Sequence, residues 1–272
     1  MLEMRNSYLK RWLTGIVLAV VIVVVILFCS AEVLAVVITI FIFGGVWEYN
    51  NIVFGKGFFK EKIEGLTFAI VIPLVMFFGN NQLLLAVSAF CILFVFILFL
   101  WSVKESTFDI LSVAKVIFGM MYIPFLMSHL ILLRMLEKGI IWVLFVLVLA
   151  FAGDITALYV GKYFGKHKLI PLVSPGKTVE GTIGLVLGST MACLIFSYFL
   201  LPKVSLIHIA ILAFVGSIIG QLGDLCESAI KRNYGLKDAS SLLPGHGGLL
   251  DRMDCLIFIT PVVYYYRIYL IG

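Results

Sequence analysis

Charge is scarce in this chain. Only 13% of its 272 residues are Asp, Glu, Lys or Arg, while 62% are hydrophobic and the mean hydropathy is +1.16. That balance excludes an ordinary soluble domain, where about 25% of residues are charged, and no nucleic-acid partner is expected. Cysteine is scattered: Cys29, Cys91, Cys193, Cys226 and Cys255 show neither CxxC spacing nor short loops to staple, so they read mostly as small buried residues and give no sign of zinc sites or disulfide frameworks. A cleavable leader is not expected either. Arg5, Lys10 and Arg11 precede an apolar run from Trp12 to Cys29 that is long and lacks a small-residue cleavage pattern, so it reads as a retained span. No internal repeat of the kind that marks many transporters is visible.

What the chain does have is apolar runs of bilayer length, near 12–29, 31–46, 64–79, 82–103, 108–133, 139–162, 182–201, 206–230 and 255–271. They predict an all-α, polytopic integral membrane protein with about nine transmembrane helices. Gly119 and Pro124 interrupt 108–133, which leaves one long tilted helix or a broken pair. Three regions are expected: N-terminal helices over 1–80, middle helices over 81–138 that could serve dimerisation, and a catalytic region over 139–272. With the N-terminus cytoplasmic and the C-terminus opposite, one side collects Arg5, Lys10, Arg11, Lys56, Lys60, Lys62, Lys104, Lys162, Lys166, Lys168, Lys177, Lys231, Arg232, Lys237 and Arg252. The other holds Arg134, Lys138, Lys203 and Arg267, and Lys115 is undecided. This asymmetry is the positive-inside pattern, and Trp12, Trp47, Trp101 and Trp142 fall at span ends as an aromatic belt requires. The polar loops around 163–181 and 231–254 then face the cytoplasm.

Candidate chemistry gathers in the C-terminal half. Asp154 follows a long apolar run, where an acid costs several kcal/mol unless paired or hydrated, so it faces a polar cavity or a partner. Asp224, Glu227, Ser228 and Lys231 recur at spacings that put them on one helical stripe, suited to a metal or a phosphate. Asp251 and Asp254 share a face at the start of the last span, where they could also complement the helix dipole. A hard divalent cation takes few carboxylates and leaves room for water and substrate phosphate, and Asp224 could meet Asp251 across one. Pro244-Gly245-His246-Gly247-Gly248 is a turn whose main-chain N–H groups can approach an anion.

Ser174-Pro175-Gly176-Lys177-Thr178 contains Gly-Lys-Thr, but the P-loop needs a glycine where Pro171 stands, and no strand is expected before it. An ATPase is therefore excluded. Lys177 remains a phosphate contact, and Ser174 and Thr178 caps or ligands.

These residues carry a pattern. Ser228-x-x-Lys231-Arg232-x4-Lys237-Asp238, then Pro244-Gly245-His246-Gly247-Gly248-x-x-Asp251-Arg252-x-Asp254, resembles the signature of the phosphatidate cytidylyltransferases, also called CDP-diacylglycerol synthases. Ser174-Pro175-x-Lys177-Thr178-x-Glu180-Gly181 and Gly223-Asp224-Leu225-x-Glu227-Ser228 resemble the same family. Two positions depart from it: the family commonly reads Asp-Thr where this chain has Asp154-Ile155-Thr156, and serine where it has Cys255.

The resemblance implies that CTP and phosphatidic acid give CDP-diacylglycerol and pyrophosphate, with Mg²⁺ required and a second cation left open. It also implies a homodimer in the cell membrane, in contact with membrane lipids, with its active site facing the cytoplasm. On this reading the metal ligands are Asp224 and Asp251, with Asp154 and Glu227 beside them. Lys231, Arg232, Arg252 and Asp254 serve catalysis, and Ser174, Lys177, Thr178, Ser228, Lys237, His246, Gly247 and Gly248 hold substrate. An ion-coupled transporter using Asp109, Asp154 and Asp224 would instead spread polar residues through both halves.

Overall fold

The computed structural model describes residues 19–55, 57–103, 109–242 and 247–271. Of the residues singled out above, Arg5, Lys10, Arg11, Trp12, Lys56, Lys104, Pro244, Gly245 and His246 lie outside the described residues. The chain divides into two compact units, Met1–Leu132 with Asp238–Leu250, and Leu133–Lys237 with Asp251–Gly272.

The first unit holds α1 (Ala19–Phe28), α2 (Ala31–Phe54), α3 (Phe59–Phe78), α4 (Asn81–Val103), α5 (Ile110–Met120) and the start of α6 (His129–Met135). Ser30 caps α2 by accepting from the Val33 amide. The α2 helix continues past residue 46, where its apolar run ends, because its polar C-terminal turns are satisfied from neighbouring helices. Lys62 of α3 donates to the Gly55 carbonyl at 2.5 Å and to Asn51 Oδ1 at 3.2 Å, and Lys115 of α5 donates to the Val53 carbonyl at 3.1 Å. In return Tyr49 Oη donates to the Lys115 carbonyl and Asn50 Nδ2 to that of Lys62. The two lysines thus supply the helix-end carbonyls with the donors they lack, at the negative end of the dipole.

Region 108–133 belongs to a single span, Ile110–Met135, which carries a widened π turn at Met121–Phe125 containing Pro124. Proline has no N–H to give, and a π turn absorbs the missing bond. Ser128 Oγ donates to the Pro124 carbonyl at 2.6 Å, and His129 Nδ1 to those of Phe125 and Leu126 at 3.0 and 3.1 Å.

In the second unit α7 (Gly139–Phe164), α8 (Val179–Leu200) and α9 (Leu206–Asn233) pack closely, and α10 (Leu250–Tyr266) meets α9 at Gly220 and Gly223. Gly153 of α7 lies against Ser189 of α8, whose hydroxyl donates to the Leu149 carbonyl at 2.8 Å. A Cβ on Gly223 of α9 would stand 2.6 Å from the Asp254 carbonyl oxygen of α10. Small residues are what bring membrane helices to this separation.

Among the described residues the fold is helical except for one element the all-α expectation lacks. β1 (Lys168–Ile170) and β2 (Ser174–Thr178) form an antiparallel hairpin between α7 and α8. A strand therefore does precede Gly176, contrary to the sequence reading, although Pro171 still denies the P-loop its glycine. The strands are too short for an alternating apolar pattern to announce them. Glu180 anchors the hairpin base, accepting from the amides of Lys166 and His167 and from His167 Nδ1 at 2.7 Å.

Among the described residues seven helices are long and apolar enough to cross a membrane: α2, Gln82–Trp101 in α4, Ile110–Met135, α7, α8, α9 and Leu250–Ile271. The other two expected spans fall on α1, described only over Ala19–Phe28, and on α3, whose first turns carry Lys60, Glu61, Lys62 and Glu64.

Candidate active site

Two ion-pair centres stand at one end of α9, and both are assembled from the stripe Asp224, Glu227, Ser228, Lys231. The helical repeat sends these four side chains along one face. Their partners come from β2 and α10.

In the first centre Lys177, next to the end of β2, forms an ion pair with Asp224. Thr178 then starts α8, its hydroxyl accepting from the Gly181 amide at 3.1 Å, so the cap that turns the chain into the helix also fixes Lys177 one residue earlier. The buried Lys177 Nζ has Asp224 as its one partner among the described residues. Ser228 Oγ donates to Asp224 at 3.4 Å. Asp154 of α7 and Asp254 of α10 stand close enough for their carboxylates to repel one another and that of Asp224, with the Lys177 charge opposing them. Asp254 also accepts from the Cys255 amide at 2.7 Å.

In the second centre Lys231 bridges Glu227 and Asp251, with Nζ 2.5 Å from an oxygen of each. The side chains are nearly sealed from solvent: 1% of Glu227, 10% of Lys231 and 11% of Asp251 is exposed. One cation between two anions leaves a net negative charge, which a low-dielectric site tolerates only beside further positive charge or a proton.

Asp224 and Asp251, which the sequence reading joins across one metal, are thus each paired with a different lysine. The carboxylates grouped with Asp224 are Asp154 and Asp254. Among the described residues no group of three or more His, Cys, Asp or Glu is gathered as a metal site. A Mg²⁺ ion needs only one or two carboxylates, with water and phosphate oxygens completing its octahedron, so hard oxygen donors that repel one another fit its chemistry.

The remaining residues are placed as follows. Arg232 is spent on main chain, donating to the carbonyls of Val173 at 3.2 Å and Leu236 at 3.0 Å, and so tethers the turn of the hairpin to the end of α9. Arg252 is exposed, and its charge reaches Asp154. Lys237 is exposed, and Ser174 opens β2. Thr156, at the departure from the family pattern, folds back to donate to the carbonyls of Ala152 and Gly153. Gly247 and Gly248 belong to the first unit, Gly247 with φ +79°, a left-handed conformation that favours glycine.

A narrow cleft beside the first centre is lined by Asp154, Asp224, Ser217 and Gln221 together with Leu149, Leu185 and Ile259. Gln221 escapes the sequence reading. Its Nε2 is buried with no hydrogen-bond partner among the described residues, and an amide inside an apolar run is the signal that could have flagged it. Glu48, fully buried near the end of α2, was missed because the predicted span stops at residue 46.

The model of the cytidylyltransferase family matches residues 9–270. Among curated proteins the chain is 37% identical over 163 residues to the phosphatidate cytidylyltransferase of Staphylococcus saprophyticus, covering 60% of this chain and 59% of that one. It is 36% identical over 162 residues to the phosphatidate cytidylyltransferase of Bacillus subtilis, covering 59% and 60%. To the uncharacterized protein YnbB of Escherichia coli it is 42% identical over 160 residues, covering 57% and 53%. The match thus spans a little under two thirds of the relatives' own length.

Proposed function

The chain belongs to the cytidylyltransferase family, and on that premise we propose that it transfers the cytidylyl group of CTP to phosphatidic acid, forming CDP-diacylglycerol and pyrophosphate. One observation carries the reading: Asp154 and Asp224 line the walls of a cleft together with apolar side chains, and Lys177 is paired with that Asp224. A substrate with a charged head and hydrocarbon tails suits such walls.

The nucleophile is an oxygen of the lipid phosphate monoester. Its second pKa is about 6, so at neutral pH it attacks without a general base. The new bond joins that oxygen to the α-phosphorus, and the α–β bridging bond breaks to release pyrophosphate. The demand on the protein is charge neutralisation and alignment. Lys177 supplies a buried positive charge where phosphate oxygens approach Asp224. Lys231 holds Asp251 and Glu227 in place, Ser228 orients Asp224, and Arg232 keeps the hairpin on α9. Asp224 with Asp254 or Asp154 would hold Mg²⁺, which when bound neutralises phosphate charge. From the sequence pattern Gly247 and Gly248 are further proposed contacts of the triphosphate or pyrophosphate, and Lys237, His246, Arg252, Ser174 and Thr178 further proposed contacts of substrate.

The charge asymmetry of the sequence supports nine spans with the N-terminus cytoplasmic, the C-terminus opposite and this site at the cytoplasmic face. The assembly is a homodimer in the cell membrane. The purified protein is expected to release pyrophosphate from CTP only when phosphatidic acid and Mg²⁺ are both present. Ion or solute transport with no such release would overturn the assignment.

A further inference from the structure

Glu48 is fully buried, and among the described residues no cation pairs with it. Its carboxylate is satisfied by three donors from the segment that ends the first unit. Oε1 accepts from Ser240 Oγ at 2.5 Å and from the Leu249 amide at 2.9 Å, and Oε2 accepts from the Leu250 amide at 2.7 Å. Ser240 Oγ in turn accepts from the Leu242 amide at 3.0 Å. Leu249 and Leu250 lie at the N-terminus of α10, where amides have no partner within the helix, so a glutamate of α2 serves as its cap. An anion there is favoured by the helix dipole, which explains how a carboxylate is buried without a cation.

The same carboxylate shapes the glycine turn. A Cβ on Gly248 would stand 2.7 Å from Glu48 Oε2, 2.9 Å from Ala239 Cβ and 2.9 Å from the Ser240 nitrogen. Position 248 is therefore glycine because Glu48, the Ala239 side chain and the Ser240 backbone occupy the space. On the other side of the cap, Leu249 presses on Gly44 of α2, where a Cβ would meet it at 2.5 Å.

We propose that Glu48 is a positioning residue for cytidylyl transfer. It holds the Gly247-Gly248 turn in the conformation that receives the nucleotide phosphates, and fixes Leu250, the residue preceding Asp251. This rests on the function proposed above. A glutamine at 48 is nearly isosteric, but its NH₂ would face one of the donors, so at least one of the three bonds is lost.

The test is steady-state kinetics of the full chain in detergent micelles, with CTP and phosphatidic acid varied in turn, alongside amide hydrogen exchange. Glu48→Gln is expected to raise KM for CTP about tenfold, leave KM for phosphatidic acid unchanged, and speed exchange at Leu249 and Leu250. A kcat that falls with the folded fraction at unchanged KM for CTP overturns the proposal, as does unaltered exchange. If Glu48→Gln does not fold, Ser240→Ala removes one donor and keeps the carboxylate. It is then expected to raise KM for CTP roughly threefold, and no rise overturns the proposal. Wild-type protein that releases no pyrophosphate refutes the proposed function; the exchange measurement still decides whether Glu48 holds the turn.

Discussion

Lys231 is the group whose removal has the most calculable consequence. Lys231→Met keeps much of the side-chain volume and deletes the cation that stands 2.5 Å from an oxygen of both Glu227 and Asp251. Breaking a buried ion pair by removing one partner costs about 3–5 kcal/mol. The loss does not double here, because one of the abandoned acids can take up a proton and relieve its neighbour. At roughly 2–4 °C per kcal/mol for a chain of this size, the midpoint of thermal unfolding should fall by roughly 10 °C. The diagnostic step is Glu227→Gln made in both backgrounds. With Lys231 present it removes one favourable contact, costing about 1.5–3 kcal/mol. With Lys231 absent it removes an unpaired buried acid and should cost nothing or stabilise. Unfolding of the four proteins in detergent, followed by tryptophan fluorescence, gives the coupling energy. Additive effects, within about 0.5 kcal/mol, would refute the bridge.

Three further outcomes follow from the same geometry. Asp224→Asn should cut turnover by about a thousandfold, roughly 4 kcal/mol, with membrane insertion intact, and chelation of divalent cations should stop the wild type until Mg²⁺ is restored; activity that survives either treatment removes the metal from Asp224. Lys177→Met should lower kcat/KM about a hundredfold while Lys177→Arg retains part of it, since the position calls for positive charge; equal loss in both would point to packing instead. Gly223→Ala should destabilise the protein because its Cβ would lie 2.6 Å from the Asp254 carbonyl oxygen, whereas Gly176→Ala, with nothing within 4 Å, should be silent in an unfolding assay.

Much of this could be read before the structure, for identifiable reasons. Bilayer spans announce themselves by length and hydropathy, so the helices from α7 onward fall close to their expected bounds. The stripe Asp224, Glu227, Ser228, Lys231 follows from the helical repeat alone. What periodicity cannot give is the partner on another element: that Asp251 goes to Lys231 and Asp224 to Lys177 depends on how β2 and α10 meet α9. The hairpin was invisible because Lys168–Ile170 is short and Pro-Gly punctuates its second strand. Glu48 was hidden because the second expected span ends at residue 46, although the cost argument applied to Asp154 holds equally for Glu48.

The lysines at the end of α2 bear on how orientation in the bilayer could be measured. Lys62 donates to the Gly55 carbonyl, and Lys115 to that of Val53, so neither is a passive marker of sidedness. Reversing the charge at Lys62 would turn an N–H donor into an acceptor facing a carbonyl, and the helix end would fray whichever way the chain is threaded. Lys203 is exposed in the turn between α8 and α9 and has no such task. A change there reports on threading alone, and it is the position from which the path of the chain through the membrane can be mapped.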